Sequence, residues 1–267
     1  ISAFARAGAA LGDRAYVARA EAAARFALDG LGAGGTLRRA DTSPVGGFLD
    51  DHALLAAGLL DLWDATFDPR WLREALHLQR VLARDFWDDA SGGFFTTAAR
   101  AEAPLAREKR VVDDPLPAGN AVAVDNLLRL AELTGDDAHR RRADATLRAL
   151  GRDLARSPTD AARLLAALER RLDRAKEIVI VAPAGRPETA APLLAVVRRT
   201  WLPNAVLAVQ TEGPALDAVR ALVPLLEGKR ALDGRATAYV CEERVCAHPT
   251  TEPDVLAAAL APAAPLP

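Results

Sequence analysis

Two stretches of this chain place ionisable and hydrogen-bonding side chains where helices begin. The first is Gly46-Gly-Phe-Leu-Asp50-Asp51-His52-Ala-Leu-Leu55. Its two carboxylates and one imidazole precede an apolar run, and a helix N-terminus stabilises negative charge. Asp50 and Asp51 could serve as a general acid or base. They could equally be a cap and a first-turn acid. The second is Asp113-Asp114-Pro-Leu-Pro117-Ala-Gly119-Asn120, which opens another apolar helix. Asp113 could supply a further carboxylate. Gly119 would let a ligand approach the backbone, and Asn120 would bind it or cap the helix. Hydrolysis of a glycoside calls for two carboxyl groups across the scissile bond. Adjacent Asp50 and Asp51 diverge on a helix, so Asp113 is the better second member.

Other candidates surround these. Phe86-Trp87-Asp88-Asp89 and Gly92-Gly93-Phe94-Phe95 read as a short hairpin. Its Trp87 and Phe94 could stack on a sugar ring or simply seal a helix pair. Arg107 and Lys109 lie in a loop spanning 98–118 and could line the mouth of a cavity. Cys241 and Cys246 have four residues between them and fit either a reversible disulfide or two buried structural thiols. His77, His139 and His248 are scattered, without the spacing of a metal site, so no metal or cofactor is expected. Gly30-Leu-Gly32-Ala-Gly34-Gly35 matches G-x-G-x-x-G but follows a helix, where a dinucleotide motif needs a strand.

The elements that carry these residues repeat. Asp13-x-x-Tyr16-x-x-x-Ala20, Asp68-x-x-Trp71-x-x-x-Ala75 and Asp136-x-x-His139-x-x-x-Ala143 share one pattern, each copy following one helical stretch and opening another. Helix pairs are expected at 1–11 and 14–29, at 50–66 and 69–86, and at 119–134 and 136–155, with a further helix over 158–172. Such pairs bury one face each and must stack on neighbours. From residue 174 the pattern becomes strand, helix, strand, helix, strand, with strands at 177–182, 205–210 and 236–241. That alternation predicts a small, largely parallel three-stranded sheet. The expected organisation is mostly α: a partial (α/α)6 toroid over 1–173, an α/β subdomain over 174–260 and a flexible tail over 261–267.

Composition narrows the function classes. The chain has 267 residues, is 51% hydrophobic and carries a formal charge of −2, which gives no global attraction to nucleic acid or an anionic membrane. No 18-residue uncharged apolar run occurs, so no membrane span is expected. Arg outnumbers Lys 31 to 3, with acids interspersed, which reflects coding bias rather than a basic surface. Two cysteines and no signal-like leader suit a cytoplasmic protein. The chain has no Met and opens on Ile1 within a helix, as a piece of a longer protein would.

Several motifs recur in fixed order in one family. Gly47-Phe-Leu-Asp-Asp-His-Ala53, Phe86-Trp-Asp with Gly92-Gly-Phe-Phe95, Arg107-x-Lys109-x-x-x-Asp113, Pro117-Ala-Gly-Asn120 and Gly234-x-x-Thr237-Ala-Tyr-Val-Cys-x-x-x-x-Cys246 carry the resemblance. The chain resembles the C-terminal part of the thioredoxin-domain-containing proteins related to spermatogenesis-associated protein 20. The resemblance implies an N-terminal thioredoxin-like domain outside this chain. It also implies a toroid similar to N-acylglucosamine 2-epimerases and six-hairpin glycosidases, of which this chain holds about half. The family pattern usually has tyrosine at His52 and serine at Ala118. The expected function is carbohydrate-related binding or catalysis with a sugar-type ligand. The alternative is a noncatalytic scaffold or partner-binding module serving the thioredoxin-like domain. An isolated half-ring would expose a lateral apolar face and self-associate.

Overall fold

The structure is a computed structural model of the chain and describes residues 1–32, 37–42, 44–101 and 106–261. It divides into two compact units, one of residues 1–131 and 136–172 and the other of residues 132–135 and 173–267.

The first unit is helical. Its elements are α1 (Ser2–Leu11), α2 (Arg14–Phe26), α3 (Leu49–Thr66), α4 (Pro69–Asp85), α5 (Gly119–Thr134), α6 (Asp137–Arg156) and α7 (Ala162–Leu172). A π turn, Ala27–Leu31, extends α2, and a 3-10 turn, Pro158–Ala161, precedes α7. Gly30 of the glycine-rich run lies in the π turn, and Gly34 and Gly35 lie outside the described residues. So does most of the expected tail, which is described only as far as Ala261.

The repeated phrase has a structural meaning at each occurrence. Gly12, Phe67 and Gly135 adopt left-handed φ values of 69°, 57° and 68°. Each turns the chain out of one helix. The next residue, Asp13, Asp68 or Asp136, caps the following helix by accepting the amide hydrogen bond of Ala15, Arg70 or Ala138. Glycine takes the left-handed turn without strain, whereas Phe67 takes it against the crowding of its Cβ. The small residue that ends the phrase, Ala20, Ala75 or Ala143, is fully buried. The repeat therefore encodes a sharp helix–helix turn and a close contact.

Side-chain contacts align α3 with α5. Asn126 donates to the Ala53 carbonyl at 2.8 Å, and Arg129 pairs with Asp61 at 3.0 Å and with Asp64 at 2.7 Å. Residue numbers rise together along both helices, so they run parallel and side by side. Arg6 of α1 reaches Asp61 at 2.8 Å, and Arg170 of α7 reaches Asp125 of α5 at 2.7 Å. The interior of this unit is apolar along Leu49, Ala53, Leu82, Phe86, Phe94, Ala121, Val124 and Leu127.

The second unit is α/β and corrects the sheet expected from the sequence. Among the described residues it has four strands in the order β2-β1-β3-β4, not three: β1 (Lys176–Ala182), β2 (Ala205–Thr211), β3 (Thr237–Glu242) and β4 (Val245–Cys246). Only β1 and β2 are parallel; β3 pairs antiparallel with both β1 and β4. The chain reaches β2 through α8 (Ala191–Arg199), a crossover that returns it parallel. After α9 (Pro214–Arg220) it passes through a 3-10 turn and a loop, and enters β3 from the opposite end. The direction of β3 depends on that irregular connection, and β4 adds a strand beyond the three expected. The second helical stretch of the expected alternation is α9 plus a 3-10 turn at Pro224–Leu226. One sheet face packs Ile178, Ile180 and Ala238 against Leu193, Leu256 and Leu260, the latter two from α10 (Pro253–Leu260).

Candidate functional site

The start of α3 and the start of α5 meet. The Gly119 amide hydrogen-bonds to the Asp50 carboxylate. A Cβ at Gly119 would collide with Asp50 Oδ1 and lie 2.8 Å from Leu49 Cγ, so glycine permits this approach. Asp50 is half-buried. Burial raises its carboxyl above the ordinary value, against the lowering effect of the Gly119 amide and the nearby Arg110 guanidinium.

The remaining polar residues at these tips are occupied by the backbone. Asp51 folds back to accept the Phe48 amide at 2.8 Å, the helix-capping arrangement, and pairs with Arg39 at 3.4 Å. Asp113 accepts the Ala118 amide at 2.8 Å on one oxygen and the Arg163 amide at 2.8 Å on the other. It thereby ties the loop before α5 to the first turn of α7. Asn120 is fully buried. Its Oδ1 accepts the Phe94 amide at 2.8 Å, and its Nδ2 donates to the carbonyls of Phe94 at 2.9 Å and Arg110 at 3.2 Å. One amide side chain thus pins the aromatic hairpin to the following loop.

That hairpin is built around one bridge, Trp87 to Phe94. Gly92 and Gly93 turn it with φ of 76° and 79°. Phe94 is fully buried and meets Trp87 edge-on, with ring centroids 5.1 Å apart. Trp87 is half-buried. Lys109 donates to Asp88 Oδ2 at 2.6 Å and to Ser91 Oγ at 2.7 Å, and its ammonium holds the Asp88 carboxyl well below the usual range. Arg107 stacks 4.1 Å from the Phe95 ring centroid and donates to the Thr97 carbonyl at 2.6 Å and the Asp85 carbonyl at 3.2 Å. Both cations close the hairpin onto the loop.

His52 belongs to a different environment. It is buried, its Nδ1 lies 2.8 Å from the Phe48 carbonyl, and its ring is 5.1 Å from Phe86. The carbonyl selects the Nδ1–H tautomer, which leaves Nε2 as an acceptor. Burial pushes the imidazole below its ordinary value. His52 also lines a cavity of about 410 Å³ with Arg25, Asp29, Trp71, Glu74 and His77. Among the described residues, neither His52 Nε2 nor Trp71 Nε1 has a hydrogen-bond partner.

The structure therefore gathers Asp50, Asp113, Gly119 and Asn120 at adjoining helix starts. Arg107, Lys109, Trp87 and Phe94 form a second cluster, and His52 faces a separate cavity. The sequence reading did not include the ion ladder between the parallel helices, made of Asp61, Asp64 and Arg129. Burial disfavours the charges of Asp61 and Arg129, but their mutual attraction outweighs it, so the carboxyl is lowered and the guanidinium raised. The clue was available: Leu59-Leu-Asp61-Leu-Trp63 and Leu127-Leu-Arg129-Leu each put one charge inside an apolar run. In the α/β unit, Cys241 and Cys246 form a disulfide. Among the described residues, no group of three or more His, Cys, Asp or Glu is placed to hold a metal, and no helix is long and apolar enough to cross a membrane.

The sequence as a whole is similar to known proteins. Over 95% of its length the chain is 34% identical to spermatogenesis-associated protein 20 of Rattus norvegicus and, equally, of Mus musculus. Over 83% of its length it is 36% identical to the Homo sapiens protein of that name. The chain is a relative of spermatogenesis-associated protein 20. It spans about a third of the length of these relatives, 34% of the rat and mouse proteins and 28% of the human one. No protein-family model matches the chain.

Proposed function

We propose that the helical unit is a noncatalytic framework: three hairpins and one helix of an α/α ring that carries a partner-binding surface in a longer cytoplasmic protein. The observation that carries this reading is the commitment of the polar tip residues. Asp51, Asp113 and Asn120 satisfy backbone amides and carbonyls, so they are held as caps and clamps. A two-carboxylate hydrolase would require a second free carboxyl group facing Asp50. The partner in this reading is the thioredoxin-like domain that the family resemblance implies.

A carbohydrate-related role is the second reading, and Asp50 favours it. Its carboxyl is half-buried, raised, and set beside Arg110 where two helix starts converge. Raised carboxyl groups in such positions are candidates for acid–base chemistry or for binding hydroxyl groups. The test is a calorimetric and turnover screen of neutral sugars, amino sugars and sugar phosphates against the wild-type chain and Asp50→Asn. The framework reading expects no turnover and no difference between the two proteins. Turnover or binding lost on Asp50→Asn would replace it with the carbohydrate reading.

A further inference from the structure

The α/β unit contains a buried carboxylate that takes no part in the helical site. Glu177 lies on β1 and is 1% exposed. In the antiparallel register it stands directly opposite Cys241, which stands directly opposite Cys246 on β4. Directly paired residues of antiparallel strands share a sheet face with Cβ atoms about 4.5–5.5 Å apart. Glu177, Cys241 and Cys246 therefore form one row. Cys241 is buried and Cys246 is exposed.

Two features make this row unlike a structural crosslink on an inert strand. The β3–β4 turn is Glu243-Arg244, with φ of 50° and 66°. A two-residue hairpin turn of this kind favours Asn-Gly, because Cβ atoms crowd the left-handed conformation. The disulfide thus closes a hairpin whose turn residues resist it. Among the described residues, Glu177 also has no close hydrogen bond on either oxygen. The nearest cation is Arg244, with Nε at 3.9 Å from Oε1, and its backbone amide also acts to lower the carboxyl. Lys229 and Glu132 of the same unit are the other charges that act on it. Lys229 is itself half-buried and donates to the Leu225 carbonyl at 2.6 Å. Burial raises Glu177 above the ordinary carboxyl value despite the two cations, with Glu132 acting in the same direction.

We propose that Cys241–Cys246 is a thiol–disulfide exchange site in which Glu177 is the proton donor and acceptor for Cys241. A thiolate of a dithiol reductant attacks the exposed Cys246 Sγ, and a new sulfur–sulfur bond forms there. The Cys246–Cys241 bond breaks, and its electron pair goes to Cys241 Sγ, which takes the proton of the Glu177 carboxyl group. The second thiolate of the reductant then attacks its own sulfur in the mixed disulfide. Cys246 leaves as thiolate and is protonated from solvent, and Glu177 recovers its proton from solvent. The chain gains two electrons and two protons, and the dithiol becomes a disulfide. Buried Cys241 is a poor leaving group as a bare thiolate, because burial penalises its charge. A neutral acid beside it removes that penalty.

The test is the rate of reduction of the native 267-residue chain by dithiothreitol from pH 5 to pH 9. Free thiols are counted by mass after alkylation, and rates are divided by the thiolate concentration of the reductant. In the wild type the normalised rate should fall in a step as Glu177 ionises. In Glu177→Gln the step should vanish, with rates lower by roughly a hundredfold on the acid side and equal on the alkaline side, the scale of general acid catalysis. A looser hairpin would shift rates equally at every pH and cannot reproduce the step. A flat wild-type profile, a step retained in Glu177→Gln, or a disulfide inert to dithiothreitol in the folded chain would overturn the proposal. The wild-type profile decides by itself if the variant fails to fold.

Discussion

Gly119 is the residue on which the joining of two helix starts turns. Any side chain there meets Asp50 and Leu49. Gly119→Ala is expected to lower stability by about 1–3 kcal/mol, the usual cost of forcing atoms into a packed site, measured as a shift in the urea midpoint. An unchanged midpoint would mean the helix starts are not held in contact. His52 gives the residue scale a pH signature. Its imidazole is buried and its pKa is lowered from the ordinary 6.5. Below that value the unfolded chain binds a proton that the native chain resists, so native stability falls as pH drops. The urea midpoint should decrease from pH 7.5 to pH 5.5. The decrease should be smaller in His52→Tyr but not absent, since burial also lowers His139. An identical slope in both proteins would remove His52 from the explanation. The sequence displayed His52, Asp50 and Asn120 clearly as polar residues at helix starts. It could not tell capping from catalysis, because both call for the same side chains at the same place. Only the partner atoms separate the two.

At the scale of elements, the parallel pair α3 and α5 is joined by a buried ion ladder. Asp61 and Arg129 are 3% and 6% exposed, so removing either leaves the other buried with one remaining ion partner, Arg6 for Asp61 or Asp64 for Arg129. Arg129→Met is expected to cost about 3–5 kcal/mol, the range for breaking a buried ion pair from one side. A urea titration checks this, and a loss below 1 kcal/mol, the value of a surface pair, would contradict it. The helices of the first unit were legible, because the Asp-x-x-[Tyr/Trp/His]-x-x-x-Ala phrase marks a cap, a turn and a buried contact, although a π turn ends the stretch expected over 14–29 and a 3-10 turn opens the one expected over 158–172. Strand direction in the α/β unit was not. The local sequence of β3 is the same whether it runs with β1 or against it, and an irregular connection decides the matter. The fourth strand has only two residues, too few for any alternation to be seen.

At the scale of the whole chain, the first hairpin leaves Phe4, Leu11, Tyr16 and Phe26 exposed. Exposed apolar patches of this kind favour association. Sedimentation velocity of the 267-residue chain should show a concentration-dependent shift to larger species, weakened by Phe4→Ser with Phe26→Ser. A monodisperse monomer at every concentration would refute that expectation. The chain covers about a third of the length of its rat and mouse relatives.

The framework role of the helix-start residues is tested most directly by measuring stability and ligand binding together in Asp51→Asn, Asp113→Asn and Asn120→Ala. If these side chains serve as caps and clamps, each substitution lowers the urea midpoint. Asn120→Ala should lower it most, because three backbone groups lose a partner, and binding per folded molecule should stay unchanged. Midpoints equal to wild type, with binding or turnover of a sugar ligand abolished, would show that the same residues serve a ligand and not the fold.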